Sequence, residues 1–282
     1  MKKTIGILYI CTGPYSLFWK DFYESFEKYF LPNCEKKYFV FTDSDSLYGE
    51  DKKNVFRFSL EAQPWPLITL LRFNTFLRIE DKLKECSYVM FSNANIVCNT
   101  EISEDEFLPR ENMGEKLFFT IHPGYYKKSK IKYPYDRNKK SHAYIPYNRG
   151  EKYVIGAMFG GKSEDFIKMS KILKSNIEED LKNNIIARWH DESHINHYIV
   201  DRKDIRYLSP EYCYPVGMNV TYTRRISGVS KQAKFDVKTF KGQYNKEQNM
   251  LTKACDKIKK ESYIKEKFCF IIDAIMNKKV RK

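Results

Sequence analysis

The chain has 282 residues, of which 42% are hydrophobic and 16% aromatic, enough for one large domain or two small ones with a sizeable core. That balance excludes wholesale disorder, and no apolar run approaches the roughly 18–20 residues that cross a bilayer. The net charge of +14 is uneven: residues 230–282 hold fifteen Lys/Arg against six Asp/Glu, whereas the preceding residues hold 35 against 30.

After Met1-Lys2-Lys3-Thr4 comes an apolar run over 5–10. It is too short for a signal sequence and has no small-residue cleavage site, so it reads as a strand buried on both faces. The seven cysteines include no CxxC pair. Neither a disulfide framework nor a cysteine zinc site is expected, and the odd count fits reduced thiols in a cytoplasmic setting. Cys11-Thr12-Gly13-Pro14-Tyr15 breaks the strand, and apolar residues at helical spacing predict a helix over 17–30, closed by Pro32. A second strand over 37–41 ends at Thr42-Asp43-Ser44-Asp45, a third follows at 55–58, and a helix is predicted over 68–83. A fourth strand over 88–91 ends at Ser92-Asn93-Ala94-Asn95.

This alternation predicts an α/β fold with an open, mostly parallel sheet flanked by helices. Ligands of such sheets gather beyond the carboxyl ends of the strands, so the loops at 11–15, 42–45 and 93–95 become candidates. No GxGxxG or GxxxxGK[ST] occurs, which argues against the usual dinucleotide and P-loop sites.

The second half opens on a buried strand over 117–121 that runs into His122-Pro123-Gly124-Tyr125-Tyr126. A basic, tyrosine-rich stretch covers 127–152, and a strand over 153–159 is expected to close at Gly160-Gly161. Ser163 is expected to cap a helix reaching about Asn183, with Glu164 and Asp165 in its first turn. Three histidines and two carboxylates then fall within 188–197. On one helix His190 and His194 would share a face, as zinc ligands can. The zinc metalloprotease pattern needs Glu directly after the first His, and Asp191 stands there with Glu192 one step further, so a metalloprotease is not indicated. A helix start rich in acidic residues with partly buried histidines is the structural alternative.

Trp189-His190-Asp191-Glu192-Ser193-His194-Ile195-Asn196 closely resembles the signature of glycosyltransferase family 6, the family of the histo-blood-group A and B transferases and the α-1,3-galactosyltransferase. Further similar motifs stand in the family's order: Tyr38 to Asp43, His122-Pro123-Gly124-Tyr125-Tyr126, Ala143-Tyr144-Ile145-Pro146, Tyr153 to Gly161, and Leu208-Ser209-Pro210-Glu211-Tyr212. The resemblance covers about residues 4–231. It implies a GT-A fold over 1–231; residues 232–282 have no counterpart in the family and read, from their charge, as a basic, partly helical or disordered extension.

The resemblance also implies an activity: transfer of galactose or N-acetylgalactosamine from a UDP-sugar to O3 of a β-galactoside, with retention of the α configuration. Glu192 matches the catalytic glutamate and Asp191 the residue that binds the donor sugar. Trp189 and His122 match acceptor contacts, and Arg72 an arginine that reaches the donor. Ile10, Cys11, Thr12 and Tyr15 align with the segment that holds uracil and ribose. Ile155 and Ala157 occupy the positions that select the donor, and the small Ala157 leans towards N-acetylgalactosamine over galactose.

One departure stands out. Most of the family carries Asp-x-Asp after the fourth strand to hold Mn²⁺, and this chain has Asn93-Ala94-Asn95. Asparagine keeps the shape but loses the charge a hard dication needs, while its N–H groups can donate to phosphate or sugar oxygens. No divalent metal or other cofactor is therefore expected. Lys231, with Arg224 and Arg225 beside it, is expected to neutralise the departing diphosphate.

With no membrane anchor at its start, the chain is expected to be a soluble, cytoplasmic enzyme of prokaryotic type. A weak contact between the tail and an anionic membrane is the one membrane role expected. The rival classes are a catalytically silent β-galactoside-binding module using Trp189 and His122, and a nucleic-acid-binding protein. The body lacks the RNP, KH and zinc-finger patterns of the second, so no nucleic-acid partner is expected.

Overall fold

A computed structural model describes residues 2–240 apart from Pro64 and Asn219. The apolar run forms β1 (Thr4–Ile10), and a 3-10 turn (Gly13–Phe18) leads into α1 (Trp19–Tyr29). β2 (Glu35–Thr42) and β3 (Val55–Ser59) follow, then three short helices, α2 (Leu67–Leu70), α3 (Arg72–Leu77) and α4 (Glu80–Lys84). β4 (Tyr88–Ser92), β5 (Ile96–Cys98) and α5 (Glu104–Phe107) precede β6 (Leu117–Ile121). β7 (Val154–Lys162), α6 (Ser163–Lys182), α7 (Asp191–Ile199), β8 (Ile205–Leu208) and β9 (Ile226–Gly228) complete the described elements.

Seven strands make one sheet in the order β3-β2-β1-β4-β7-β6-β8. β1 pairs in parallel with β2 and β4, β2 with β3, and β6 with β8, while β7 runs antiparallel to both its neighbours. The expected mostly parallel α/β architecture, GT-A-like, is the one observed. Strand parity builds its two cores. Ile5, Ile7 and Tyr9 face α1 and pack against Trp19, Phe22 and Phe26. Leu8 points to the other face, which Phe73 and Phe76 of α3, Phe166 and Leu173 of α6, and Ile195 of α7 cover.

Three local expectations are corrected. The helix expected over 68–83 is broken at Leu71, whose φ of −90° and ψ of 10° leave the helical region. The break turns Arg72 inwards, so that only 6% of this cationic residue is exposed. Gly160 and Gly161 do not end a strand but lie inside β7. A Cβ at either would come within 2.4 Å of a neighbouring strand's carbonyl oxygen, of Val89 and Lys116 respectively, so the glycines serve close strand approach. Ser163 does not cap α6: its hydroxyl donates instead to the Leu83 carbonyl at 2.5 Å and ties α6 to the end of α4.

β9 pairs antiparallel with β5 (Ile96↔Gly228, Val97↔Ser227, Cys98↔Ile226), which brings the far end of the domain back to the Asn93-Ala94-Asn95 turn. Beyond it, Phe235 and Phe240 lie against Tyr15 at ring distances of 5.5 and 6.2 Å, and Lys234 pairs with Asp21 at 2.7 Å. The helical and membrane-contacting character expected further along the tail lies outside the described residues. Among the described residues, no helix is long and apolar enough to cross a membrane.

Candidate active site

α7 begins one residue later than a shared His190/His194 face requires. His190 precedes the helix with φ 54° and ψ −129°, a conformation that costs a non-glycine residue about 1–3 kcal/mol. It is buried, edge-on to Trp65 at 4.6 Å. The sharp bend sends Trp189 outwards, 42% exposed, and starts the helix with Asp191 and Glu192 pointing back into the protein. Among the described residues, no three His, Cys, Asp or Glu side chains gather as a metal would require.

Glu192 is received by Tyr153, just before β7, and by Gly156 within it. The Tyr153 hydroxyl donates to Oε1 at 2.6 Å and the Gly156 N–H to Oε2 at 2.8 Å. Asn196, one turn later, holds helix and strand in register. Its Oδ1 accepts from the Val154 N–H and its Nδ2 donates to the Val154 carbonyl, both at 3.0 Å. Gly156 is needed at the crossing: an added Cβ would sit 3.2 Å from Asp191 Oδ2 and 3.3 Å from Glu192 Cβ. Burial pushes the Glu192 carboxyl up to about 7, against the stabilising bonds from Tyr153 and Gly156.

Asp191 turns to Arg72, with Nη1 and Oδ2 3.1 Å apart and the two side chains 7% and 6% exposed. Arg72 also donates to the Gly156 carbonyl at 2.7 Å and to the Thr69 carbonyl at 3.2 Å, and its guanidinium lies 4.4 Å from the Phe91 ring centre. Burial raises the Asp191 carboxyl to about 6, opposed chiefly by the charge of Arg72. Both carboxyls thus hold protons more tightly folded than unfolded, where their values are about 4. Their contribution to stability is therefore greatest below about pH 4 and is lost as pH rises towards 7.

His122 packs against Tyr153 and Tyr125. Its N–H donates to the Tyr153 carbonyl at 2.9 Å, and its ring lies 5.6 Å from that of Tyr153. The Gly124 N–H donates to His122 Nδ1 at 3.0 Å, which assigns the ring proton to Nε2. Burial lowers its pKa to about 4, so it is a neutral donor near pH 7. His122 thus lies against Tyr153, the residue that holds Glu192, while Trp189 is exposed three residues before Glu192 in the chain.

The residues expected on the donor side lie about the C-terminal ends of β1 and β4 and in the neighbouring part of β7. Asn93 donates its backbone N–H to the Ala157 carbonyl at 2.9 Å, which places the turn beside both Ala157 and Ile155. Tyr9 secures it by donating its hydroxyl to the Ala94 carbonyl at 2.8 Å. Ile10 packs towards the second core and Cys11 is fully buried in the first, its thiol pushed up to about 12 by burial. Cys11 also uses its N–H on the Phe41 carbonyl and its carbonyl on the Thr42 hydroxyl. Thr12 and Tyr15 are therefore the polar side chains this segment offers. Asp43 braces the loop by accepting from the Gly13 N–H at 2.8 Å. Lys231 places its ammonium 5.0 Å from the centre of the Tyr15 ring. Arg225 is committed to Glu106 and to the Glu101 carbonyl, and Arg224 lies over the Tyr214 ring, so Lys231 is the member of that basic group beside the nucleotide-side loop.

Asn95 is committed to the C-terminal segment. Its Nδ2 donates to the Val229 carbonyl at 2.8 Å, and the Val229 N–H returns a bond to the Asn95 carbonyl at 2.7 Å. Only the amide nitrogen suits that position, because a carboxylate would set oxygen against oxygen. The residues at the Asp-x-Asp position thus offer at most neutral amide oxygens, and Asp191 and Glu192 are engaged elsewhere. This donor set does not fit a hard divalent cation. Asn95→Asp is expected to destabilise the fold by about 1–3 kcal/mol through the lost bond and repulsion at Val229. Thermal unfolding with and without Mn²⁺ measures it; a Tm at or above wild type, or one raised strongly by Mn²⁺, contradicts the latch.

Tyr153, Gly156 and Asn196 were part of the quoted motifs but carried no assigned role. The signal was the position of Gly156 within β7, whose amide meets Glu192, and the i, i+4 spacing of Glu192 and Asn196. Comparison with known proteins identifies the family. The model of glycosyltransferase family 6 matches residues 1–239. The chain is 42% identical over 211 residues to the O-antigen biosynthesis glycosyltransferase WbnI of Escherichia coli, covering 75% of this chain and 88% of that protein. It is 28% identical to the histo-blood group ABO system transferase 2 of Rattus norvegicus, covering 76% of this chain and 64% of the relative. It is 29% identical to the globoside alpha-1,3-N-acetylgalactosaminyltransferase 1 of Gallus gallus, covering 76% and 62%. The chain thus matches less than two thirds of either vertebrate relative. The match runs through the buried carboxylate pair, the β7 strand that holds it and the loops around it, and on these grounds the chain belongs to glycosyltransferase family 6.

Proposed function

We propose that the protein is a retaining α-1,3-glycosyltransferase that moves N-acetylgalactosamine, with galactose as the second candidate, from a UDP-sugar to O3 of an acceptor β-galactoside, without a divalent cation. The observation that carries the reading is the Glu192 carboxylate, held by the Tyr153 hydroxyl and the Gly156 N–H beside the buried Arg72–Asp191 pair. A carboxylate fixed in this way can act at an anomeric carbon. It can form a covalent glycosyl-enzyme, or stabilise an oxocarbenium-like centre while the acceptor enters on the leaving-group face. In the covalent course the C1–phosphate oxygen bond breaks as a bond from C1 to a Glu192 oxygen forms, and that bond breaks in turn as C1–O3 forms and the O3 proton passes to the departed phosphate; in the front-side course the C1–phosphate oxygen bond breaks as C1–O3 forms. In the front-side course the acceptor's O3 proton passes to the departing phosphate.

Asp191 and Arg72 bind the donor sugar, with Ile155 and Ala157 against its C2 substituent. The absence of a large side chain at Ala157 favours N-acetylgalactosamine, though a methyl-sized difference is worth only about 1–3 kcal/mol. Thr12 and Tyr15 hold the nucleoside, Asn93 and Asn95 border the phosphates, and Lys231 supplies the positive charge that the leaving UDP needs. Trp189 stacks on the acceptor galactose, and His122 donates Nε2–H to one of its hydroxyls.

The test is a panel of UDP-sugars and β-galactosides with and without EDTA. Turnover with a galacto-configured donor, unchanged by EDTA, is expected; loss in EDTA with recovery in Mn²⁺ refutes metal independence. Lys231→Ala is expected to lower kcat/KM for the donor by about 10–100-fold with Tm unchanged, as removal of a charge-assisted contact to a diphosphate should. Binding of a β-galactoside with no turnover of any donor would favour the silent-module reading.

The acid limb supplies a further check. Glu192 must be ionised to act, so kcat/KM is expected to rise with pH through about 7. Tyr153→Phe removes a donor to the anion and is expected to move that limb to higher pH. An unmoved or lowered limb contradicts the assignment of Tyr153 as the positioning residue of Glu192.

A further inference from the structure

The basic stretch after His122 takes no part in the chemistry above. Residues 127–152 contain nine Lys/Arg and two Asp/Glu. Of the two acids, Asp136 is buried and bonded to backbone N–H groups of Asn138 and Arg188, at 2.8 and 2.7 Å. Lys127, Lys128, Lys130 and Lys132 are all exposed, and none of them makes an ion pair among the described residues. Four like charges within six residues repel one another, so the fold tolerates this cluster rather than gaining from it.

The cluster is also fixed relative to the site. Lys128 lies over the Tyr125 ring at 5.4 Å, and Tyr125 lies 5.0 Å from His122 and 5.2 Å from Tyr153, whose hydroxyl binds Glu192. Lys127 lies over the neighbouring Tyr126 at 5.3 Å. The charge on Lys128 adds to burial in keeping His122 neutral. The stretch is anchored by buried Tyr135, which donates to the Lys152 carbonyl at 2.6 Å. It is anchored again where Asp136 accepts the Arg188 N–H, one residue before Trp189. The lysines are thus carried on the connection from β6 to β7, the same segment that begins with His122.

We propose that Lys127, Lys128, Lys130 and Lys132 form an anion subsite for the acceptor, so that the preferred acceptor carries a phosphate or carboxylate beyond its reactive β-galactose. This rests on the proposed transfer to a β-galactoside and deepens it by naming the acceptor's charge. The lysines bind by charge alone, with no enclosed bidentate geometry, so their benefit is modest and screened by salt.

The test uses the full chain and three water-soluble β-galactosides: one neutral, one bearing a phosphate monoester and one bearing a carboxylate. At low ionic strength kcat/KM for the better anionic acceptor is expected to exceed that for the neutral one by about tenfold, with the ratio approaching one in high salt. The anionic arm that shows the larger advantage identifies the source of the charge. In the variant combining Lys127→Ala, Lys128→Ala, Lys130→Ala and Lys132→Ala, the ratio is expected to fall to about one at every salt concentration, with Tm showing that the fold is kept. Equal use of all three acceptors at low salt overturns the subsite, as does an advantage that survives in the variant. An advantage seen only when the acceptor is displayed on vesicles of anionic lipid assigns the lysines to membrane docking and also overturns it. Failure to glycosylate any of the three refutes the parent reading instead.

Discussion

Glu192→Gln is expected to lower kcat by about 10³ while leaving the fold intact. The substitution is nearly isosteric, and the site can accept it. The Gln carbonyl oxygen can take the Gly156 N–H, now at 2.8 Å from Oε2, and the Tyr153 hydroxyl can rotate to accept from the new amide. What the variant loses is the negative charge. That charge is disfavoured in the free protein, because burial raises the carboxyl to about 7. At pH 8 the wild type holds a buried anion and the variant does not, so the variant's Tm there should equal or exceed that of wild type. The expected signature is therefore split: a protein as stable as wild type or more so, with single-turnover transfer nearly abolished and donor binding retained. A variant within a few-fold of wild-type kcat would remove Glu192 from the chemistry. Collapse of the fold would instead give the carboxylate a structural role that the two neutral replacement bonds do not suggest.

The sheet was legible because its strands are buried on both faces. Ile5 to Ile10 and Leu117 to Ile121 read as strands, and the strand–helix alternation of the first hundred residues implied parallel pairing there, which β1, β2, β3 and β4 show; the antiparallel course of β7 was not legible. The helix expected over 68–83 was misread because periodicity records which residues are apolar, not whether the axis is continuous. The break at Leu71 answers to Arg72, which has to reach the Gly156 carbonyl and Asp191, both distant in sequence. Gly160 and Gly161 were read as punctuation because glycine in sequence does not distinguish a turn from close backbone packing, and only the neighbouring carbonyls settle it. For the site, composition and spacing reached a cluster of histidines and carboxylates and stopped there; the roles came from the family resemblance. The structure adds what neither supplied. Tyr153 and Gly156 hold the two Glu192 oxygens, and Asn95 spends its amide on Val229. Local sequence could not show these bonds, whose partners stand 36, 39 and 134 residues apart.

Arg72→Leu is expected to destabilise the protein by about 3–5 kcal/mol, because it strands Asp191 in a site from which water is largely excluded. The pair is buried on both sides, at 7% and 6% exposure, so solvent screening cannot compensate as it would for a surface pair. The leucine also leaves the Gly156 carbonyl without its donor and replaces the planar guanidinium against Phe91 with a branched alkyl group. Asp191 would respond by protonating, since its carboxyl is already raised to about 6 with the arginine in place. The loss of stability should therefore be larger at pH 8 than at pH 5. The double variant Arg72→Leu with Asp191→Leu removes both charges and is expected to recover most of the lost stability, because hydrophobic replacement of a buried ion pair is often neutral or stabilising. It is not expected to recover transfer activity, because in the proposed reading the donor sugar is held by the polar groups of both residues. Chemical denaturation of wild type, the two single variants and the double variant at each pH measures the coupling. A single Arg72→Leu variant as stable as wild type would mean that the pair contributes little to the fold. A double variant with full transferase activity would mean that neither residue reaches the donor.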